Sequence, residues 1–208
     1  MFAPVNIAVV GHSYVRRLRD FSTRLPFIPD FAHVAPPLPR PNLLDLDNCQ
    51  VSWHFIGGGT VPLLNTSNQI AIELQQALPA IVFLQIGSND LDQIDVDPFT
   101  VAYEVSELAD KMLNVYGAQR VFVGQLIPRY QTRHCPVEIY NQRVFLANGY
   151  LMNFCQRQGP ISFQVHRGLS NSLHCIHDQN DWVHLNDLGH FKLYRSVRAA
   201  ARHALSHL

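Results

Sequence analysis

Apolar residues recur along this chain with two different periods. Short runs rich in β-branched residues alternate with longer stretches in which apolar positions return every three or four residues. The runs are NIAVV (6–10), CQVSWHF (49–55), AIVFLQI (80–86), RVFVGQL (120–126) and ISFQV (161–165), and each predicts a strand. AIVFLQI is apolar nearly throughout, as expected of a central strand covered on both faces. The stretches with helical period begin with SYVRRLRDFSTRL (13–25). NQIAIELQQAL (68–78) follows, with Ile70, Leu74, Ala77 and Leu78 on one face and Pro79 as its stop. Val101, Val105, Leu108, Met112 and Val115 then mark a helix closed by Gly117. Residues 137–157 read as helix, and from Asn186 onward Phe191, Tyr194, Val197, Ala201 and Leu205 form a stripe behind an Asn186 N-cap.

Five repeats of strand and helix predict an α/β fold, a three-layer α/β/α arrangement around a five-stranded parallel sheet. The 208 residues suit a single domain spanning 1–208. The proline-rich segment at 26–41 reads as an ordered surface loop, because too little chain precedes it to form a separate domain. In parallel sheets, sites form beyond the carboxyl ends of the strands, so the loops after each strand carry the candidate chemistry.

Those loops are GHS (11–13), IGGGT (56–60), GSND (87–90) and DWVHLN (181–186), the last preceding the final helix. Ser13 offers a hydroxyl that becomes nucleophilic once a base takes its proton. His184 is the candidate base, since imidazole titrates near neutral pH. Asp181 stands three residues earlier and can fix the imidazole tautomer. Three donors could meet an oxyanion: the Gly58 N–H, the Asn89 side-chain amide, and the Ser13 N–H at a helix start. Each residue also has a plainer role. Ser13 suits a helix N-cap, Gly57 to Gly59 a flexible turn, and Asn89 with Asp90 a turn or cap.

Charge and composition narrow the partners. Apolar residues make up 47% and charged residues 15% of the chain, as in folded proteins. Sixteen basic and sixteen acidic residues give a net charge of zero, which lends no support to nucleic-acid binding through bulk charge. No segment is long and apolar enough for a membrane span, and the N-terminal segment has no basic leader, so the expected location is intracellular and cytoplasmic. Cys49, Cys135, Cys155 and Cys175 form no CxxC pair, so no metal is expected. The HCIHD stretch (174–178) brings two histidines and a cysteine together without a convincing further ligand. Arg16, Arg17, Arg19 and Arg24 read as a solvated helix face rather than an anion site. Tyr14, Trp53, Phe55, Tyr130 and His134 are candidates for an acyl pocket or its rim, although core packing accounts equally well for Trp53 and Phe55.

With these blocks in order, the sequence resembles the SGNH (GDSL-like) hydrolases over roughly residues 5–200. The matches are VVGHSYV with Ser13, IGGGT with Gly58, IGSND with Asn89, and DWVHLN with Asp181 and His184. The resemblance implies a flavodoxin-like α/β/α fold and hydrolysis of small acyl esters without metal or organic cofactor. It implies Ser13 as nucleophile, His184 as base, Asp181 as its orienting acid, and Ser13 N–H, Gly58 N–H and Asn89 as the oxyanion hole. One position departs from the pattern: the family usually places aspartate before the serine, and this chain has His12. That departure motivates an alternative, a binding or accessory module that keeps the fold with little turnover. A looser similarity connects the chain to SGNH-type domains of invertebrate and transposable-element proteins. The other common serine-hydrolase elbow, G-x-S-x-G, is absent because Val15 occupies the second glycine position.

Overall fold

Side chains alternate along β1 (Val5–Gly11), and that alternation organises the molecule. Ile7 and Val9 face one apolar layer, whereas Ala8 and Val10 face another. The computed structural model describes residues 3–25, 44–157, 159–170 and 173–208. The proline-rich segment predicted as an ordered loop therefore lies outside the described residues.

The five strands, β1, β2 (Cys49–Phe55), β3 (Ile81–Gln85), β4 (Arg120–Gly124) and β5 (Ile161–Gln164), are parallel and ordered β2-β1-β3-β4-β5. On the Ile7 side pack α1 (Ser13–Arg24), α6 (Leu173–Ile176) and α7 (Asp187–Leu205). On the Ala8 side pack α2 (Val61–Thr66), α3 (Asn68–Ala77), α4 (Pro98–Asn114) and α5 (Val137–Gln156). The predicted three-layer arrangement is thus the observed one. The β3 positions are buried from end to end, because helices cover both faces.

From β1 the chain first moves to one side to form β2, then crosses to the other side for β3, β4 and β5. The carboxyl end of β1 is therefore the switch in strand order, the place where sites form in such sheets. Gly11 sits at that point. A Cβ there would run into the Gln85 carbonyl and lie 2.8 Å from Val15 Cγ2, so glycine lets β1, β3 and the first turn of α1 close together.

Several local expectations shift. Leu78 and Val115 fall at helix C-caps and are exposed, rather than completing the buried stripes of α3 and α4. The six residues of α2 escape periodicity analysis because a helix so short shows barely two apolar repeats; Leu64 and Val61 anchor it, with Pro62 in its first turn. Asn186 caps α7 as expected, accepting from Gly189 N at 3.0 Å. Ser13 does not cap α1. It is the first helical residue, and His12 is the cap, its Nδ1 accepting from Tyr14 N at 3.3 Å. Among the described residues, no helix is long and apolar enough to cross a membrane.

Candidate active site

The end of β1 delivers Ser13 onto the start of α1, and the loop before α7 folds back over it. Ser13 Oγ lies 3.0 Å from His184 Nε2, and His184 Nδ1 lies 2.7 Å from Asp181 Oδ2. Residues 168 and 171 positions apart in the chain therefore form one hydrogen-bonded row. Proton placement follows from the partners. A carboxylate only accepts, so His184 carries its proton on Nδ1, and its Nε2 lone pair accepts the hydrogen bond from the Ser13 hydroxyl.

Local structure explains why the loop holds this shape. Asp181 Oδ1 accepts from the Val183 and His184 N–H groups at 3.0 and 2.9 Å, closing the turn on its own side chain. The Trp182 carbonyl accepts from Tyr130 N and Gln131 N at 3.2 and 3.1 Å, and Trp182 itself lies at φ 53°. The Val183 carbonyl accepts from Tyr14 Oη at 2.8 Å, and Asp178 N donates to the His184 carbonyl at 2.8 Å. Arg17 adds a bond of 3.3 Å to Asp181 Oδ2. Burial works against the Asp181 charge, but the His184 and Val183 N–H groups and the imidazole outweigh it and hold the carboxyl at about 2. His184 is pulled below the ordinary histidine value, first by burial and then by the positive charges of Arg17 and Arg129, against the opposing bond from Asp181.

His12 is fully buried, and burial, followed by Arg129 and His184, lowers its pKa to about 3. It is therefore neutral, and its Nδ1 is occupied by the Tyr14 N–H. Ser13 Oγ lies 3.5 Å from that nitrogen, against 3.0 Å from His184, so the single hydroxyl proton goes to His184.

The second and third loops are stitched to each other. Gly58 adopts φ 70°, a left-handed conformation suited to glycine, and the following Gly59 N–H closes a turn on the Ile56 carbonyl at 3.0 Å. Asn89 Nδ2 donates to the Gly59 carbonyl at 3.0 Å, and Asp90 Oδ1 accepts from Val61 N at 2.9 Å. Burial raises Asp90 to about 6. Because β1, β2 and β3 are parallel, Ser13, Gly58 and Asn89 follow strand ends on the same edge of the sheet.

Arg129 was not foreseen. It is 2% exposed and donates to Asn89 Oδ1 at 2.8 Å and to Asp92 Oδ2 at 3.3 Å. A buried arginine looks like any surface arginine in a sequence, but its position was a usable signal. It lies in the loop after β4, directly before Tyr130, one of the pocket-rim candidates.

Other candidates resolve more plainly. Trp53 and Phe55 pack against the core layer of α1 and α7. Tyr130 is exposed and its ring lies 4.9 Å from that of Trp182. The His134 N–H donates to Asp92 Oδ1. Arg17, Arg19 and Arg24 are paired with Asp181, Asp20 and Asp187, leaving Arg16 exposed on the helix. In the HCIHD stretch, Asp178 faces Arg17 at 3.7 Å and His177 is buried. Among the described residues, no group of three or more His, Cys, Asp or Glu side chains is arranged to hold a metal ion.

No protein-family model matches the chain, and no curated protein sequence is similar to it. Solved structures are. A carbohydrate esterase family 3 protein from Talaromyces cellulolyticus superposes with a TM-score of 0.66 at 16% identity, covering 98% of this chain and 99% of that one. Est24, a carbohydrate acetylesterase from Sinorhizobium meliloti, gives 0.64 at 14% identity over 96% and 99%. A proposed SGNH hydrolase from Slackia heliotrinireducens gives 0.64 at 15% identity over 95% and 99%. At such identities the likeness establishes the fold.

Proposed function

We propose that this chain, which carries the α/β/α fold of the SGNH (GDSL-like) hydrolases, is a serine esterase that hydrolyses small, acetyl-like acyl esters through an acyl-enzyme. The observation that carries this reading is the continuous row from Ser13 Oγ through His184 to Asp181, at 3.0 and 2.7 Å. Ser13 Oγ attacks the ester carbonyl carbon as its proton passes to His184 Nε2. Asp181 stabilises the resulting imidazolium without taking its proton. The tetrahedral oxyanion accepts from the Ser13 N–H, the Gly58 N–H and Asn89 Nδ2. Collapse expels the alcohol, which leaves with the proton from His184. Water then attacks the acyl-serine, gives a proton to the same nitrogen, and the acid departs as Ser13 regains its hydrogen.

The esterase and acetylesterase neighbours support an acyl group of acetyl size. The alternative of a fold kept without turnover drew on His12. That residue is neutral and serves as a helix cap, and it leaves the Ser13–His184 bond in place, which favours the active reading.

Labelling with a fluorophosphonate, alongside turnover of 4-nitrophenyl acetate, tests this directly. The expected result is labelling mapped to Ser13 that is lost in Ser13→Ala and strongly slowed in His184→Ala. Folded wild-type protein inert to both reagents would overturn the proposal.

A further inference from the structure

Arg129 is a buried cation whose cost needs a reason. The chain fixes it with unusual care. Its backbone is gripped from both sides by Asn141, which accepts from Arg129 N at 2.9 Å and donates to Arg129 O at 3.0 Å. Its guanidinium lies 5.1 Å from the centre of the Tyr140 ring. One arm reaches Asp92 and the other reaches Asn89, and Nε has no hydrogen-bond partner. Asp92 is a divided counter-ion, because it also accepts from the Arg133 and His134 N–H groups at 3.1 to 3.2 Å. Stability alone explains this poorly, since a buried ion pair is often no better than a well-packed apolar replacement.

The contact with Asn89 supplies the reason. An arginine can only donate, so the 2.8 Å bond fixes which end of the Asn89 amide is oxygen. The amide nitrogen is then directed to the loop of Gly58 and Gly59, where one hydrogen is spent on the Gly59 carbonyl and the second remains. A positive charge bonded to the amide oxygen draws electron density from that nitrogen and makes the remaining N–H a stronger donor. We infer that Arg129 is a positioning residue for ester hydrolysis, which orients and polarises the Asn89 amide as an oxyanion donor. This inference rests on the esterase reading above.

The experiment compares Arg129→Met, Arg129→Lys, Asn89→Ala and the Met/Ala double variant on 4-nitrophenyl acetate, with kcat and KM taken per folded molecule. Fluorophosphonate labelling of wild type is run first; its absence defeats the esterase reading and this inference with it. In labelled, active protein, Arg129→Met lowers kcat about 10- to 100-fold with KM within about twofold, as loss of donor strength at one site requires. The double variant is no slower than Asn89→Ala alone. Wild-type kcat in Arg129→Met, or losses that multiply with those of Asn89→Ala, would each overturn the inference while leaving the esterase intact. Should Arg129→Met not fold, Arg129→Lys still decides. It cannot span both Asn89 and Asp92 in the same fork, so its kcat falls with KM held, and an unchanged kcat refutes the role.

Discussion

Among the described residues run two serine–histidine–carboxylate rows. One joins Ser13, His184 and Asp181 at 3.0 and 2.7 Å; the other joins Ser52, His54 and Glu73, with both links at 2.8 Å. Distance alone does not rank them: the second is shorter at the serine link and the first at the carboxylate link. Exposure does not favour the first either, because Ser13 is buried whereas Ser52 is only half-buried. What separates them is their place in the fold. Ser13 stands at a strand end, on the first turn of a helix, at the switch in strand order and beside loops that carry Gly58 and Asn89. Ser52 lies mid-strand in β2, paired in register with Ala8, and its hydroxyl also reaches the Ile7 carbonyl at 3.4 Å. Ser52 and His54 meet because residues two apart share a strand face, and Glu73 arrives with α3. A proton relay is thus easy to assemble from sheet geometry. An esterase also needs donors for the developing oxyanion, and the proposed donors at Gly58 and Asn89 follow strand ends beside Ser13.

The largest test of this contrast is a pair of serine variants. Ser13→Ala should cut kcat by at least about 10⁴-fold, whereas Ser52→Ala should stay within about twofold of wild type, measured on 4-nitrophenyl acetate. Equal losses would erase the distinction. Next comes the donor side: Asn89→Ala should lower kcat about 10²- to 10³-fold, with no parallel effect from Gln69→Ala beside the second row. The two histidines should then exchange roles between assays. His54→Ala should cost about 1–3 kcal/mol in urea unfolding, because it abandons the Ser52 and Glu73 partners, while its turnover stays near wild type. His184→Ala should do the reverse.

Smaller effects concern pH. As the proposed base, His184 works only when neutral, and its pKa is pulled below the ordinary histidine value of 6.5, so kcat/KM should rise with pH and reach half its plateau below pH 6.5. The weakest effect belongs to Glu73. Burial opposes its charge, yet the His54 and Gln69 bonds leave its folded pKa below the ordinary glutamate value. Its contribution to stability is therefore full above that value and fades as pH falls through the folded pKa. Glu73→Gln should flatten the acid side of the stability curve slightly, as read by thermal unfolding across pH, and leave the kcat/KM profile where it was.

The sequence by itself determined the layers and the spacing of the chemistry. Five apolar runs could bury their side chains only as strands, and periodic stripes such as Phe191, Tyr194, Val197 and Ala201 could bury theirs only as helices. Parallel pairing then had to bring the loops after β1, β2 and β3 to one edge, because every strand runs the same way. The tertiary structure alone decided which residues there would meet. It made His12 rather than Ser13 the cap of α1, let one of two equivalent proton relays fall beside Gly58 and Asn89, and buried Arg129 against an amide 40 residues away in the chain. The physical reason is that strand and helix formation is read from neighbours in sequence, through period and burial. The partner of a charge or a hydroxyl is chosen by whatever distant segment desolvates it, and no local pattern records that choice.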